Sequence, residues 1–286
     1  MCVKLNSDVI KIILAYCGEF YQYDYKLLDL LSRYNIYYHD SFYYAVICEH
    51  EKTIKYLIEE KKYDVNELNK GYQNDFLELA CNTGNLNIVK LIIKGGFKHD
   101  ESDYAGQYVS GYREDRKGYV WNAYQNRYID IMKYLLSIGH DINDYISSSP
   151  CYGTPLMCAC EKGDMETAVY LIKNGASVDR ITETENRDDE FTALYYACAN
   201  GHYQIAKLLI ANGADINEGG YHNDTPLIWS TINNHPNIVE ILLYNNADVN
   251  IMYSDDDCCE FYEMTPIEIA KKKNHDEIIN MFKHCL

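Results

Sequence analysis

Thr192-Ala193-Leu194-Tyr195-Tyr196-Ala197-Cys198-Ala199-Asn200-Gly201-His202-Tyr203-Gln204-Ile205-Ala206-Lys207-Leu208-Leu209-Ile210-Ala211-Asn212-Gly213-Ala214-Asp215-Ile216-Asn217 is one copy of a pattern that the chain repeats. Its opening returns as Thr154-Pro155-Leu156-Met157-Cys158-Ala159, as Thr225-Pro226-Leu227-Ile228-Trp229-Ser230 and as Thr265-Pro266-Ile267-Glu268-Ile269-Ala270. Eroded copies place Ala45, Ala80 and Ala123 at the point held by Ala197. From Ala45 through Ala80, Ala123, Ala159, Ala197 and Ser230 to Ala270 the intervals are 35, 43, 36, 38, 33 and 40 residues. A period of this order belongs to stacked arrays of one supersecondary unit.

Counting outward from the ladder residue gives the architecture of the unit. Gly84, Gly163 or Gly201 stands four residues on, where a helix stops and the chain turns. His50, His202, His235 or His275 follows at the next position. An apolar block comes eight to thirteen residues after the ladder, as in Ile88-Val89 with Leu91-Ile92-Ile93 and Ile238-Val239 with Ile241-Leu242-Leu243. Its spacing is that of one helical face. Gly96, Gly139, Gly175 or Gly213 then marks a second helix end, and the unit closes on Asp215-Ile216-Asn217 or a variant of it.

Laid out this way, the chain resembles the ankyrin repeat family from about Asp40 onward, most closely from Gly153 to Asn250. The resemblance implies an all-α ankyrin repeat solenoid of helix-turn-helix units with projecting hairpin or finger loops. Units are expected at 40–74, 75–117, 118–153, 154–191, 192–224, 225–264 and 265–286. A unit of this kind cannot bury its apolar face alone, so stability should propagate by stacking. Met157, Tyr195, Ile228 and Glu268 stand where the family's Thr-Pro-Leu-His signature has histidine. The copy around Ala123 lacks both Thr-Pro and the first glycine, so weaker local hydrogen bonding is expected there. Residues 1–39 read as an N-terminal helical cap, capped at Ser7-Asp8; the alternative is an F-box-like docking element, which lacks the usual Leu-Pro opening.

Composition narrows the function. The 286 residues carry 43 acidic against 26 basic side chains, a net charge of −17. Nucleic acid and anionic membrane surfaces need clustered cations, so neither is an expected partner. No apolar run approaches the ~20 residues of a membrane span, and the N-terminus lacks a secretory signal. A cytoplasmic monomer is the expectation. Cys81, Cys160 and Cys198 each follow a ladder alanine, where a small hydrophobe is wanted, and Cys258-Cys259 lacks a matching pair for zinc. Asp255-Asp256-Asp257 lacks the spacing, glycine and terminal glutamate of a calcium loop. No phosphate loop, zincin helix or nucleophile elbow occurs, so no catalytic residue, metal or cofactor is assigned. Lys271-Lys272-Lys273 reads as solvated helix surface of a terminal cap, Trp229 as core, and Trp121 as either core or surface.

Variation concentrates between units. From each closing Asn or Asp to the next threonine position there are 8, 17, 10, 12, 7 and 14 residues. Insertions on one face of a solenoid often mark its binding face. Members of the family bind protein partners through finger tips and the concave face of the first helices, and the resemblance implies the same here. The candidate partner-binding residues are Tyr104, Tyr108, Tyr112, Glu161, Phe191, Asn200, Asp224, Asn233, Tyr253, Phe261 and Tyr262. Aromatics among them supply rigid contact area, and the carboxylates of the Glu101–Lys117, Arg180–Phe191 and Ile251–Met264 fingers would steer a basic partner. Leu135 with Asp141-Ile142-Asn143, and the same spacing ending at Asn217 and Asn250, resemble ankyrin asparagines hydroxylated by an oxygen-dependent hydroxylase. In style the chain resembles ankyrin proteins of giant DNA viruses of amoebae, which would make it a host-directed interaction module. A ubiquitin-ligase substrate adaptor is the second reading.

Overall fold

A computed structural model describes residues 38–66, 76–97, 119–143, 153–181, 191–220, 222–254 and 260–285. The N-terminal cap or F-box-like stretch, Tyr104, Tyr108 and Tyr112, the acidic run 182–190 and the Cys258-Cys259 pair lie outside those residues, apart from 38 and 39. Seven helical hairpins appear in the described chain. They are α1 (Tyr38–Ile47) with α2 (Glu51–Glu59), α3 (Phe76–Thr83) with α4 (Leu86–Lys94), and α5 (Tyr119–Gln125) with α6 (Ile129–Ser137). Then come α7 (Pro155–Lys162) with α8 (Met165–Lys173), α9 (Ala193–Ala199) with α10 (Tyr203–Ala211), α11 (Pro226–Ile232) with α12 (Pro236–Tyr244), and α13 (Pro266–Lys272) with α14 (Asp276–Cys285). The first six helices belong to one compact body and the last eight to another.

The ladder residue decides how closely first helices approach. Ala45, Ala80, Ala123, Ala159, Ala197, Ser230 and Ala270 are all 0% exposed. Within each body successive first helices pack on one another, and a larger side chain at that point would separate them. The second helix contributes an apolar seam twelve residues on: Leu57, Ile92, Leu135, Leu171, Leu209, Leu242 and Phe282, each buried. Truncating one of these leucines to alanine costs about 2–5 kcal/mol in a well-packed core.

Helix starts are fixed by threonine. Thr154, Thr192 and Thr225 are extended residues whose hydroxyl oxygens accept from the amides of Met157, Tyr195 and Ile228 at 3.3, 3.1 and 3.3 Å. Such a cap is worth about 1 kcal/mol. At α13 the roles reverse: the Glu268 carboxylate accepts from both the amide and the hydroxyl of Thr265, at 2.9 and 2.8 Å. Those two bonds hold the Glu268 carboxyl below the usual glutamate range, with the Lys271 charge adding to them.

Helix ends are fixed by one backbone device used seven times. The residue four beyond the ladder takes a left-handed conformation, with φ of 81° at Gly84, 73° at Gly163 and 79° at Gly201. Glu49, Arg127, Asn234 and Asn274 hold the same position at φ of 58°, 63°, 58° and 57°. The next amide then reaches back to the ladder carbonyl, as in His202 to Ala197 at 2.9 Å and Tyr128 to Ala123 at 2.8 Å. The Ala123 hairpin therefore keeps the bond that its missing glycine was expected to weaken. The backbone bond wins, and Arg127 bears a strain of about 1–2 kcal/mol instead.

Candidate protein-docking surface

The residue after the left-handed position is used in two ways. Asn85 and Asp164 cap their own helices, accepting from the amides of Asn87 and Ile88 in the first case and of Thr167 in the second. Histidines reach instead to the preceding hairpin. His202 donates from Nε2 to the Glu161 carbonyl at 3.0 Å, and His235 from Nε2 to the Ala199 carbonyl at 3.2 Å. His275 uses Nδ1 and the Thr231 carbonyl at 3.0 Å. These imidazoles stitch hairpins together, which accounts for their recurrence without chemistry.

The finger loops are tied by a second ladder. Asn143 accepts from the Ser177 amide at 2.8 Å, Asp179 from the Asp215 amide at 2.8 Å, and Asn217 from the Asp248 amide at 2.8 Å. Asn250 bonds only within its own loop: its amide and its carboxamide both donate to Asp248 Oδ1, at 2.9 and 3.1 Å. The three asparagines expected to be hydroxylated thus divide into two whose side-chain oxygen links loops and one whose oxygen does not.

The structure separates the candidate contact residues by exposure. Asn200 and Asn233 are exposed on the first helices' outward side. Asn200 donates one side-chain N–H to the Tyr196 carbonyl at 2.9 Å, and Asn233 one to the Ala199 carbonyl at 2.8 Å. Each amide oxygen therefore remains an acceptor for a partner. Glu161 is half-buried beside them, and Tyr262 is 45% exposed. Phe191 is half-buried, stacked on Tyr195 at 4.0 Å. The remaining three described candidates face inward. Asp224 is 3% exposed and accepts from the Trp229 indole at 2.7 Å, while Tyr253 and Phe261 are 4% and 5% exposed. Trp229 is half-buried and Trp121 buried.

Sequence reasoning missed the inside of the last finger. Tyr253 and Met264 pair as an antiparallel bridge, and Tyr253 and Phe261 join Ile228, Ile232 and Ile269 in a small apolar cluster. Lys272 and Lys273 are not simply solvated. Lys273 donates to the Ile232 carbonyl at 3.2 Å, Lys272 donates to the Glu260 carbonyl, and both ammonium groups lie over the Phe261 ring, at 5.5 Å for Lys272 and 5.3 Å for Lys273. The available signal was Ile232 itself, an isoleucine two residues past the ladder where Asn82, Gln125 and Glu161 are polar.

Charge is unevenly spread. Residues 1–140 hold 19 acidic and 17 basic side chains, and residues 141–286 hold 24 and 9. In the second group, the stretches of sequence between successive hairpins (141–154, 174–192, 212–225 and 245–265) contain 17 acidic and 2 basic residues. The helices and tight turns between them, with Leu286, carry 7 of each. The whole excess of negative charge in this half belongs to its fingers.

Burial pushes the Cys160 and Cys198 thiols far above the ordinary range, with neighbouring Cys158 and Cys160 respectively adding to it, which disfavours their thiolate forms. Among the described residues no group of three or more His, Cys, Asp or Glu could hold a metal ion. No described helix is long and apolar enough to cross a membrane.

No curated protein sequence matches the chain. The family model for ankyrin repeats, itself three copies long, matches residues 120–219 and again residues 182–253. Those spans hold the caps Thr154, Thr192 and Thr225 and the ladder residues Ala123, Ala159, Ala197 and Ser230, while Ala45, Ala80 and Ala270 continue the same ladder outside them. By this match residues 120–253 are ankyrin repeats, and the chain that carries them is an ankyrin repeat protein.

Proposed function

We propose that the protein is a non-enzymatic scaffold that holds a basic protein partner against the finger loops of residues 141–286. Ankyrin repeats in general mediate protein–protein interaction. What supports a basic partner is the segregation of charge: 17 acidic against 2 basic residues in the fingers of this half, over helices with 7 of each. Like charges gathered on one set of loops repel one another and destabilise the fold unless something compensates, and a cationic partner compensates by steering and complementarity. The outward amide oxygens of Asn200 and Asn233 add acceptors that lysine and arginine side chains can use.

The test is affinity capture on the full-length protein followed by mass spectrometry, repeated with Glu183, Glu185, Asp188, Asp189 and Glu190 all changed to Gln or Asn. The expected outcome is a captured protein with a basic segment, released by raised salt and lost from the altered chain while its helical circular dichroism is unchanged. Capture that ignores both salt and neutralisation of these carboxylates defeats the proposal.

A further inference from the structure

Two residues past the ladder, first helices of this chain present a side chain to the outside: Asn82 is exposed, and Gln125, Glu161 and Ala199 are half-buried. Two repeats break the polar habit with isoleucine, and they differ in what covers it. Ile47 is 39% exposed, whereas Ile232, the same residue at the same repeat position, is 9% exposed. The cover over Ile232 is the last finger, whose two limbs, 251–254 and 260–264, close through the Tyr253–Met264 bridge. They place Tyr253, Phe261 and the partly buried Ile251 and Met264 against Ile228, Ile232 and Ile269.

From this we infer that the limbs 251–254 and 260–264 form a strap, latched by Lys272 and Lys273, that covers the apolar part of the outward face of α11 and α13 and leaves the exposed Asn233 beside it accessible, together with the outward faces of α7 and α9. The occupant of the apolar stretch is the chain itself. Its fastening is of a different kind from the bonds that hold the helices. The second limb is held by Lys272 on the Glu260 carbonyl and by both ammonium groups over the Phe261 ring, while Lys273 also reaches the Ile232 carbonyl at the end of α11. Further ties include single hydrogen bonds: the Ser254 amide donates to the His222 carbonyl at 2.9 Å, and Asn223 donates to the Met252 carbonyl at 3.0 Å. None of these bonds is part of the backbone ladder of α11 or α13, so the strap can lift while both helices remain folded. Lifting it uncovers Ile232 and extends the outward face with an apolar step that the other described repeats of this half lack.

The inference extends the docking reading but is tested without a partner, so the two can fail separately. Amine acylation of the intact full-length protein, read residue by residue by peptide mass spectrometry, compares Lys272 and Lys273 with the exposed Lys271 of the same helix. The latch predicts that Lys272 and Lys273 react about fivefold more slowly than Lys271. In Phe261→Ala the two should rise to the rate of Lys271, and Nile red fluorescence should increase severalfold, with helical circular dichroism preserved. The double variant Lys272→Gln, Lys273→Gln keeps the apolar anchors and should raise Nile red fluorescence to a smaller extent, which provides a second measurement if Phe261→Ala does not fold. Equal reactivity of all three lysines in the unaltered protein overturns the latch. Loss of the helices together with the finger in both variants overturns the strap, because the finger is then part of the cooperative core.

Discussion

The imidazole of His202 fills the space beside Gly163: a methyl group on that glycine would stand 2.6 Å from the ring, whose Nε2 lies 3.0 Å from the Glu161 carbonyl oxygen. The next hairpin repeats the arrangement, with Gly201 beneath His235 at 2.8 Å. One glycine therefore answers two demands, a left-handed turn and room for the neighbouring ring. Where Asn234 supplies a side chain at that point, His275 turns to its other nitrogen and a different carbonyl.

The two glycine positions of a repeat should consequently respond differently to substitution. Gly201→Ala meets both the φ penalty and the His235 ring, and should cost about 2–4 kcal/mol in urea denaturation. Gly213→Ala meets the φ penalty alone, because nothing lies within 4 Å of its added methyl, and should cost about 1–2 kcal/mol. Gly213→Asn should be nearly silent, since Asn246 already holds the same position at φ 64°. Equal losses for the two alanine variants would remove the histidine from the argument.

Arg127 offers the opposite experiment. It takes φ 63° in the α5–α6 turn, where α3, α7 and α9 are followed by glycine. Arg127→Gly relieves the left-handed strain and should raise stability by about 0.5–1 kcal/mol, the strain relieved less the chain entropy that glycine adds to the unfolded state. A lowered denaturation midpoint would mean that the arginine side chain does more than occupy the turn.

Much of this was legible before any coordinates, and the reason is local. Threonine caps and turn residues act within five residues of themselves, and the ladder alanines, which act on neighbouring hairpins 33 to 43 residues away, show themselves by recurring, so a linear reading reaches all three. The turn at Arg127 escaped because backbone hydrogen bonding can force a non-glycine residue into the conformation glycine merely prefers. The strap escaped for another reason. Tyr253 and Phe261 belong to a finger that looked polar from its carboxylates, and their burial depends on Ile228, Ile232 and Lys273, which are distant in sequence. Asp224 was read as a contact residue and instead holds the Trp229 indole, a pairing that acidic composition alone does not reveal.

Thr231 should tolerate, and benefit from, loss of its hydroxyl. It is 0% exposed, and Oγ1 has no hydrogen-bond partner, while its carbonyl serves His275. The equivalent residues Cys81, Cys160 and Cys198 are small and buried without such a group. Thr231→Val removes the unsatisfied polar atom at constant shape and should stabilise by about 1 kcal/mol, seen as a higher urea midpoint with an unchanged slope.

The Glu268 cap should make part of the stability depend on pH. Its carboxyl is held low by the amide and hydroxyl of Thr265, and the unfolded chain lacks those donors. A depressed folded value means the contribution is complete above the ordinary glutamate range and lost as pH falls through the folded value. The stability difference between the natural protein and Glu268→Gln should therefore be constant near neutral pH and shrink on acidification. A difference that grows toward low pH reverses the sign and rejects the cap as its source.

Asn250 should be the first of the loop asparagines to accept a hydroxyl group. Oxidation at the β-carbon requires the loop to enter an enzyme's site extended, so the bonds the loop makes must open. Withdrawing Asn217 breaks the bond from the Asp248 amide, and withdrawing Asn143 breaks the bond from the Ser177 amide, each worth about 1 kcal/mol. Asn250 gives up only bonds within its own loop. Incubation with an oxygen-dependent asparaginyl hydroxylase, followed by peptide mass spectrometry, should show an increment of about 16 Da on Asn250 before Asn217 and Asn143. Asn217→Ala should also lower thermal stability more than Asn250→Ala does. Prior modification at Asn217 would show that enzyme contacts, rather than release from the loop ladder, choose the site.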